Sequence, residues 1–308
     1  MPIALRRRSG APRDVRRSDV ARLVALAAIW GASFIFIRVL APVLGPILTA
    51  ATRVLIAGVV LVVYCRVVHV DAELRRYWRQ YAIIGSVNST IPFVLFSFAA
   101  LHLPASYLAI FNSTTPLFTA LLAIPLLGER LTTAKIAGLA AAVCGVALVS
   151  KAGPVVPDAW FGAAVASCLG AAVCYAGSSI YMKKRAAGAK PLAIAGWTQV
   201  FAGLVLLPVM PFAPPLGAVT PLVIANVLGL ALVCSSIAYV LYYRLIADVG
   251  PTRALTVAFL IPVFGMLWGA LFLDETISLP MIAGCALVIG GATAVLRPAA
   301  PAPRPAPK

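Results

Sequence analysis

The chain has 308 residues, of which 62% are hydrophobic and only 11% are charged, with a mean hydropathy of +1.00. Soluble domains are roughly 45–50% apolar and about 25% charged, so this composition excludes a water-soluble globule. At about 20 residues for each membrane crossing, ten helical crossings would use roughly two-thirds of the chain. The composition therefore predicts an all-α integral membrane protein and excludes an appended catalytic or nucleotide-binding domain.

The net charge of +16 does not indicate binding to nucleic acid. The basic residues lie in clusters between apolar runs, and they are not interleaved with aromatic residues. The six cysteines lie inside apolar runs without the spacing of metal ligands. We therefore expect no metal, no cofactor and no nucleic-acid partner. The expected partners are a small-molecule substrate and the lipid bilayer.

Ten apolar segments of near membrane-crossing length follow one another along the chain. They are residues 21–40, 46–65, 81–101, 106–127, 133–149, 160–182, 191–210, 222–243, 252–273 and 279–296. Their length distinguishes them from buried strands, because a helix satisfies its own backbone hydrogen bonds in lipid. The pattern predicts ten transmembrane helices.

The distribution of lysine and arginine predicts the orientation of these helices. If residues 1–20 are cytoplasmic, 22 of the 25 basic residues fall in loops or tails on the cytoplasmic side. Only Lys151 falls in an opposite loop, while Arg38 and Arg53 lie within spans. This is the positive-inside pattern of a multi-pass protein of the cell inner (plasma) membrane with both termini in the cytoplasm.

The two halves of the chain repeat each other. A shift of 146 residues pairs Ser89 with Ser235, Pro116 with Pro262, Glu129 with Glu275, Gly138 with Gly284 and Gly145 with Gly291. A shift of 145 residues pairs Pro46 with Pro191 and Ala57-Gly58 with Ala202-Gly203. Because each half holds an odd number of predicted crossings, five, the second half enters from the opposite side. Inverted repeats around a central cavity are typical of secondary transporters.

We therefore expect four parts in the chain. Residues 21–150 form the first five-helix repeat and residues 158–296 form the second. A basic cytoplasmic tail, residues 1–20, precedes the repeats, and a Pro/Ala-rich cytoplasmic tail, residues 297–308, follows them. The composition of the second tail favours an extended, unpacked segment.

Several motifs resemble those of one transporter family. Trp30-Gly31-Ala32-Ser33-Phe34, Arg53 and the doubled Pro…Glu pattern of residues 116–129 and 262–275 resemble the EamA-type drug/metabolite transporter (DMT) superfamily, in its ten-helix prokaryotic exporter branch. The resemblance covers residues 21–296. It implies a central cavity lined by the first four helices of each half, and export of amino acids, related metabolites or drugs. One departure is Asp274, at the position where the first half has Gly128.

A set of polar and aromatic residues within the spans is the predicted substrate-binding site. Its members are Trp30, Ser33, Asn88, Asn112, Tyr175, Ser178, Ser235, Tyr239 and Tyr242. A few polar groups among apolar walls suit a small amphiphilic solute. The alternative is that the polar groups only join helices to each other, and that Tyr242 is an interfacial residue.

Three prolines and one arginine within the spans each allow two interpretations. Pro92, Pro116 and Pro262 interrupt helical hydrogen bonding within spans, which predicts either gating kinks or static packing kinks. Arg53, within the second span, either attracts a substrate anion or bonds to helix-end carbonyls. Glu129 and Glu275 follow spans and are predicted to stabilise turns at the start of helices.

Small residues in the fifth and tenth spans form a face with a four-residue period, including Ala137, Ala141 and Gly145. Such a face supports either a homodimer or packing within a monomer, so both remain open.

The sequence predicts a secondary transporter that exports small metabolites, amino acids or related amphiphilic solutes, by alternating access. A channel-like uniporter and a multidrug efflux carrier remain alternatives. No Asp or Glu lies at mid-span, which disfavours a relay of protons through carboxylates. A membrane-embedded enzyme is disfavoured because the chain offers two separate histidines and no carboxylate pair.

Overall fold

A computed structural model describes residues 16–129, 131–250, 254 and 256–296, and every regular element within them is helical. The helices are α1 (Arg17–Val67), α2 (Leu74–Gly85), α3 (Ile91–Ala99), α4 (Ala105–Asn112), α5 (Thr115–Leu127), α6 (Thr133–Ala152), α7 (Phe161–Arg185), α8 (Pro191–Leu206), α9 (Pro221–Leu228), α10 (Ala238–Val249), α11 (Val257–Leu273) and α12 (Leu279–Leu296). The π-helical segments Ser86–Thr90 and Gly229–Ile237 join α2 to α3 and α9 to α10. The predicted tail 297–308 and most of the tail 1–20 lie outside the described residues.

Seven helical segments of the described chain are long and apolar enough to cross a membrane. They are Arg17–Val67, Leu74–Ala99, Ala105–Leu127, Thr133–Ala152, Phe161–Arg185, Pro221–Val249 and Leu279–Leu296. Two shorter apolar helices, Pro191–Leu206 and Val257–Leu273, accompany them. The predicted all-α membrane class is confirmed.

Helix α1 is interrupted at Gly45. This residue has φ 75° and ψ 166°, a conformation that glycine adopts readily and that other residues avoid. Pro46 follows and has no N–H group with which to continue the helical ladder. The carbonyl of Val43 instead accepts hydrogen bonds from the N–H groups of Leu216 and Gly217, at 2.8 and 3.0 Å. The interruption divides the 51 residues of α1, which as a straight helix would extend ~75 Å.

The observed helices follow the predicted spans, but several ends differ and one span is broken. Helix α8 ends at Leu206 rather than at residue 210, and α10 continues to Val249 rather than ending at residue 243. Helix α2 begins at Leu74 rather than at residue 81. The predicted fourth span, 106–127, is broken, because α4 ends at Asn112 and α5 begins at Thr115. Pro116 lies in the first turn of α5, where the N–H group that proline lacks would have had no helical partner. The predicted start of the ninth span, residue 252, lies outside the described residues.

Helices α6 and α12 pack together through their glycines. A Cβ atom added to Gly138 would lie 2.5 Å from the carbonyl oxygen of Gly291, and one added to Gly145 would lie 2.6 Å from that of Gly284. Only residues without side chains allow two helix backbones to approach so closely. The face of α6 that packs on α12 is thus Gly138, Ala142 and Gly145, whereas Ala137 of the predicted small-residue face is exposed. The choice between monomer and homodimer stays a prediction.

The turn after α11 contacts the first half of the chain. Asp274 has φ 52°, close to the φ of 69° at Gly128 in the related turn. Aspartate is one of the few residues that tolerate this left-handed conformation, so the turn is kept without glycine. The carboxylate of Glu275 accepts hydrogen bonds from the N–H groups of Ala105 at 2.6 Å and Ser106 at 3.0 Å. Glu275 thus caps the start of α4, a helix of the other half.

Candidate functional site

Arg53 is the buried cation at the centre of the candidate site. Its side chain is only 7% exposed. The Nε atom donates a hydrogen bond to the Oγ of Ser235 at 2.9 Å. The guanidinium carbon lies 3.8 Å from the centre of the Phe93 ring, an attractive cation–π arrangement. Arg53 therefore joins the first half of the chain to the second.

No acidic side chain forms a salt bridge with Arg53 in the described part of the chain. Salt bridges in that part lie at helix ends and in loops, and they include Arg22–Asp19, Arg22–Asp248, Arg76–Glu73, His102–Asp158 and Lys135–Glu129. The polar groups close to Arg53 are instead the hydroxyls of Tyr175 and Tyr239 and the thiol of Cys234. Burying a cation without an anion is unfavourable by several kcal/mol, so Arg53 is a candidate for binding an anion, and this role stays a prediction.

Gln199 is the second buried polar residue of the site, and sequence reasoning missed it. The residue is fully buried in α8. Its Nε2 donates to the Oγ of Ser89 at 3.3 Å and to the hydroxyl of Tyr239 at 3.2 Å. Its Oε1 has no hydrogen-bond partner among the described residues. A buried acceptor without a donor is uncommon, which makes Gln199 a candidate for binding a ligand.

Ser89 and Ser235 give the site a symmetric plan. The two residues are related by the 146-residue shift. Each lies in a π-helical segment, and each accepts a hydrogen bond from the other half of the chain, Ser89 from Gln199 and Ser235 from Arg53. Short π-helical segments inside α-helices are frequent at functional sites, because they displace side chains from regular helical register.

Aromatic residues predicted for the site surround this polar cluster. The ring of Trp30 lies 6.4 Å from Tyr239 and 5.2 Å from Tyr242. Tyr175 stacks on Phe96 at 6.2 Å. These rings form an apolar wall next to the hydroxyl of Tyr239, which reaches Gln199. The structure thus brings together four predicted aromatic residues.

The predicted serines of the first and sixth spans are less closely involved. Ser33 donates to the carbonyl of Trp30 in its own helix at 2.6 Å, which satisfies its hydroxyl. Ser178 is 1% exposed, and its hydroxyl has no hydrogen-bond partner among the described residues. Ser33 is therefore locally satisfied, whereas Ser178 has a free hydroxyl.

Asn88 and Asn112 are half-buried and lie where the helices are irregular. Asn88 belongs to the π-helical segment Ser86–Thr90, and Asn112 is the last residue of α4. Neither side chain makes a hydrogen bond within the described chain, and neither is linked by one to Arg53 or Gln199. Their assignment to the substrate site stays a prediction.

The three predicted kink prolines occupy two kinds of position. Pro92 and Pro116 lie in the first turns of α3 and α5, directly after an irregular segment. Pro262 lies inside α11. The interruptions before α3 and α5 thus precede the prolines rather than follow them. A gating role for the three residues stays a prediction.

A comparison with protein families decides the relationship of the chain. The model of the EamA-like transporter family matches residues 20–151 and 162–297. The chain belongs to the EamA-like transporter family. It is thus a multi-pass membrane protein that transports small molecules, and it is not an enzyme.

Other proteins similar to this EamA-like chain are found in bacteria. Protein PecM of Dickeya dadantii (strain 3937) is 29% identical over 84% of this chain and 86% of its own. A probable terminal-alkyne amino-acid exporter of Streptantibioticus cattleyicolor is 28% identical over 89% of this chain and 92% of its own. The uncharacterized transporter YvbV of Bacillus subtilis (strain 168) is 25% identical over 87% of this chain and 88% of its own.

The EamA-like fold is also found among solved structures. One crystal structure superposes with a TM-score of 0.62 over 92% of this chain and 97% of its own, at 22% sequence identity. At this identity the likeness establishes the fold and carries no information on substrate.

Proposed function

We propose that this chain is a secondary transporter that exports small metabolites, amino acids or related amphiphilic solutes, across the inner membrane by alternating access. The observation that carries the proposal is the polar cluster around Arg53 and Gln199, which is buried and to which both halves contribute. A buried site favours a carrier over an open channel, because a carrier encloses its solute between the two halves. The name of the Streptantibioticus relative supports amino acids.

The proposed architecture has ten crossings. Dividing α1 at Gly45 turns the seven long segments into eight spans. The shorter helices α8 and α11 supply the other two. With 16 and 17 residues, α8 and α11 are slightly short. At 1.5 Å per residue they extend ~25 Å, close to the ~30 Å thickness of the hydrocarbon core.

Two reciprocal helix contacts support the inverted order of the proposed repeats, 21–150 and 158–296. The first contact joins α6 and α12. The 146-residue shift relates Gly138 to Gly284 and Gly145 to Gly291. The repeat relation therefore converts the contact between Gly138 and Gly291 into the contact between Gly284 and Gly145. A contact that maps onto itself in this way is what a two-fold axis produces.

The second reciprocal contact lies between α1 and α8. A Cβ atom added to Gly58 would lie 2.9 Å from the backbone nitrogen of Val200, and one added to Gly203 would collide with Leu55. The 145-residue shift relates Gly58 to Gly203 and Leu55 to Val200, so it converts the first of these contacts into the second. The same two-fold relation therefore fits a second, separate helix pair.

A pair of cysteine substitutions tests the topology. In a variant without native cysteines, Val156→Cys places a thiol in the loop between the repeats, where Val156 is 88% exposed. Lys184→Cys places one at the end of α7, also exposed. We expect a membrane-impermeant maleimide to label Val156→Cys in intact cells and Lys184→Cys only after lysis. With residues 1–20 in the cytoplasm, the opposite pattern would mean that the two halves share a direction and would overturn the inverted repeats. Labelling of both on one side would mean that α7 does not cross the membrane.

Counterflow tests the transport mechanism. Purified protein in liposomes loaded with unlabelled amino acid should transiently accumulate labelled amino acid from outside. Equilibration without a transient maximum would instead indicate the channel-like uniporter. Counterflow of apolar drugs but not of amino acids would indicate the multidrug carrier. Efflux from cells that overproduce the protein then measures the direction of transport.

A further inference from the structure

We propose that the buried cluster recognises α-amino or α-hydroxy carboxylic acids, with Arg53 binding the carboxylate and the amide oxygen of Gln199 accepting a hydrogen bond from the neighbouring ammonium or hydroxyl group. This inference rests on the proposed function and specifies the chemical class of the solute. The carboxylate part of the inference rests on the contacts of Arg53, and the donor part rests on the contacts of Gln199.

The buried charge of Arg53 is not paired with an anion of the described chain. Arg53 is buried, and no carboxylate lies in salt-bridge contact with it among the described residues. A buried ion is tolerated where a partner of opposite charge joins it. A solute carboxylate provides this charge when the carrier is loaded.

The contacts of Arg53 leave the binding edge of the guanidinium available. Nε is occupied by Ser235, and one face of the guanidinium lies against Phe93. The two terminal nitrogens make no hydrogen bond with any described residue. Held in this way, the guanidinium can offer two parallel N–H groups to the two oxygens of a carboxylate, a geometry that lysine cannot provide.

The contacts of Gln199 fix which atom is left for the solute. Its Nε2 donates both hydrogens, to Ser89 and to Tyr239, so Oε1 is the free atom. Oε1 requires a donor, which a bare carboxylate or a fully ionised phosphate lacks. Ser235 and Tyr239, which contact Arg53 and Gln199 respectively, lie about one turn apart. A solute with a carboxylate and a nearby donor, as in an α-amino or α-hydroxy acid, meets both requirements.

The test is counterflow in liposomes with three forms of each solute. The standard amino acids are compared with their amides, which lack the carboxylate, and with their deaminated acids, which lack the ammonium group. We expect at least one amino acid to be transported, with its amide and its deaminated acid each at least ~10-fold poorer, because each leaves a buried polar group of the site unpaired. An amide transported as well as its amino acid would overturn the inference while leaving the carrier function standing. Absence of counterflow by every solute would overturn both.

Substitutions distinguish recognition from a structural role. Arg53→Gln should abolish transport of the amino acid without lowering the midpoint of unfolding in SDS, since it removes a buried charge that lacks a counter-ion. Arg53→Lys keeps the charge without the two parallel donors and should raise the apparent KM. Arg38→Gln is the matched control, because Arg38 donates to the carbonyl of Ala100 and should leave transport unchanged. Unfolding of Arg53→Gln at lower SDS, or transport at the wild-type rate, would overturn the role of Arg53.

Discussion

The carboxylate of Glu275 is joined to the N–H group of Ser106 by a hydrogen bond of 3.0 Å, although 169 residues separate them in the chain. The same carboxylate accepts a hydrogen bond from Ala105. An anion at the start of a helix satisfies free N–H groups and interacts favourably with the helix dipole. The turn of one half thereby holds the first turn of a helix in the other half.

Replacing Glu275 by glutamine should loosen the start of α4. The loss of a charged cap lowers stability by about 1–2 kcal/mol, because the N–H groups of Ala105 and Ser106 keep at most a neutral acceptor. Hydrogen exchange of these two amides should accelerate about 5- to 30-fold, which corresponds to that free energy.

Glu129→Gln is the matched control for Glu275→Gln. Glu129 occupies the related turn, is exposed and pairs with Lys135 at 2.9 Å. Exposed ion pairs contribute ~0–1 kcal/mol, so exchange at the start of α4 should be unchanged. Equal effects of the two substitutions would contradict the capping role of Glu275.

The loop before α7 should respond to acid through Asp158. A hydrogen bond from His102 and others from the N–H groups of Trp160 and Phe161 hold the pKa of Asp158 below its ordinary value of 3.8. Since the pKa is lower in the folded state, the stabilisation is present above about pH 4 and is lost as the pH falls through the lowered value. Fluorescence of Trp160, isolated by subtracting the spectrum of Trp160→Phe, should therefore show a step below about pH 4 that depends on Asp158.

Asp158→Asn serves as the control for this acid transition. The variant lacks the titrating carboxyl, so the fluorescence of Trp160 should show no step in the same range. A step that Asp158→Asn removes and that is centred above pH ~5 would mean that the pKa of Asp158 is raised rather than lowered, contrary to its hydrogen bonds.

Two adjacent glycines of α12 should respond differently to alanine. Gly291→Ala places a methyl group against the backbone of Gly138 and should destabilise the protein by roughly 1–3 kcal/mol, as overpacking does. Gly290 has no atom within 4 Å of an added Cβ, so Gly290→Ala should be neutral or slightly stabilising. Unfolding in SDS measures both, and equal midpoints would show that α6 and α12 separate easily.

Alanine at Asn88 or Asn112 should weaken transport if these side chains line the path of the solute. Loss of one hydrogen bond of about 1 kcal/mol corresponds to about a fivefold rise in apparent KM. Asn226→Ala is the control, since Asn226 donates to the carbonyl of Leu222 in its own helix. Normal transport by both variants, with normal insertion, would remove the two asparagines from the site.

The membrane class could be predicted because it depends on local properties. Long apolar runs and the need to satisfy backbone hydrogen bonds in lipid lead to helices at nearly the observed places. The break at residues 113–114 was missed, although Pro116 was noticed, because a single sequence does not reveal whether a proline bends a helix or restarts it. The count of ten spans and their inverted order stay predictions.

The candidate site could be predicted only in part. Arg53 and the aromatic residues stood out because charge and large rings are unusual inside spans. Gln199 was missed, although an amide in the apolar run 191–210 was a signal that could have been used. Its importance depends on Ser89, 110 residues away, and on Tyr239, 40 residues away.

That the chain forms apolar helices in a membrane follows from its residues segment by segment, because run length and backbone hydrogen bonding are properties of each segment alone. Which polar groups meet depends on how the helices pack. Arg53 reaches Ser235, Gln199 reaches Ser89, and Glu275 reaches the start of α4. These partners are more than a hundred residues apart. Their contact follows from how the helices of the two halves pack, which no local pattern of residues specifies.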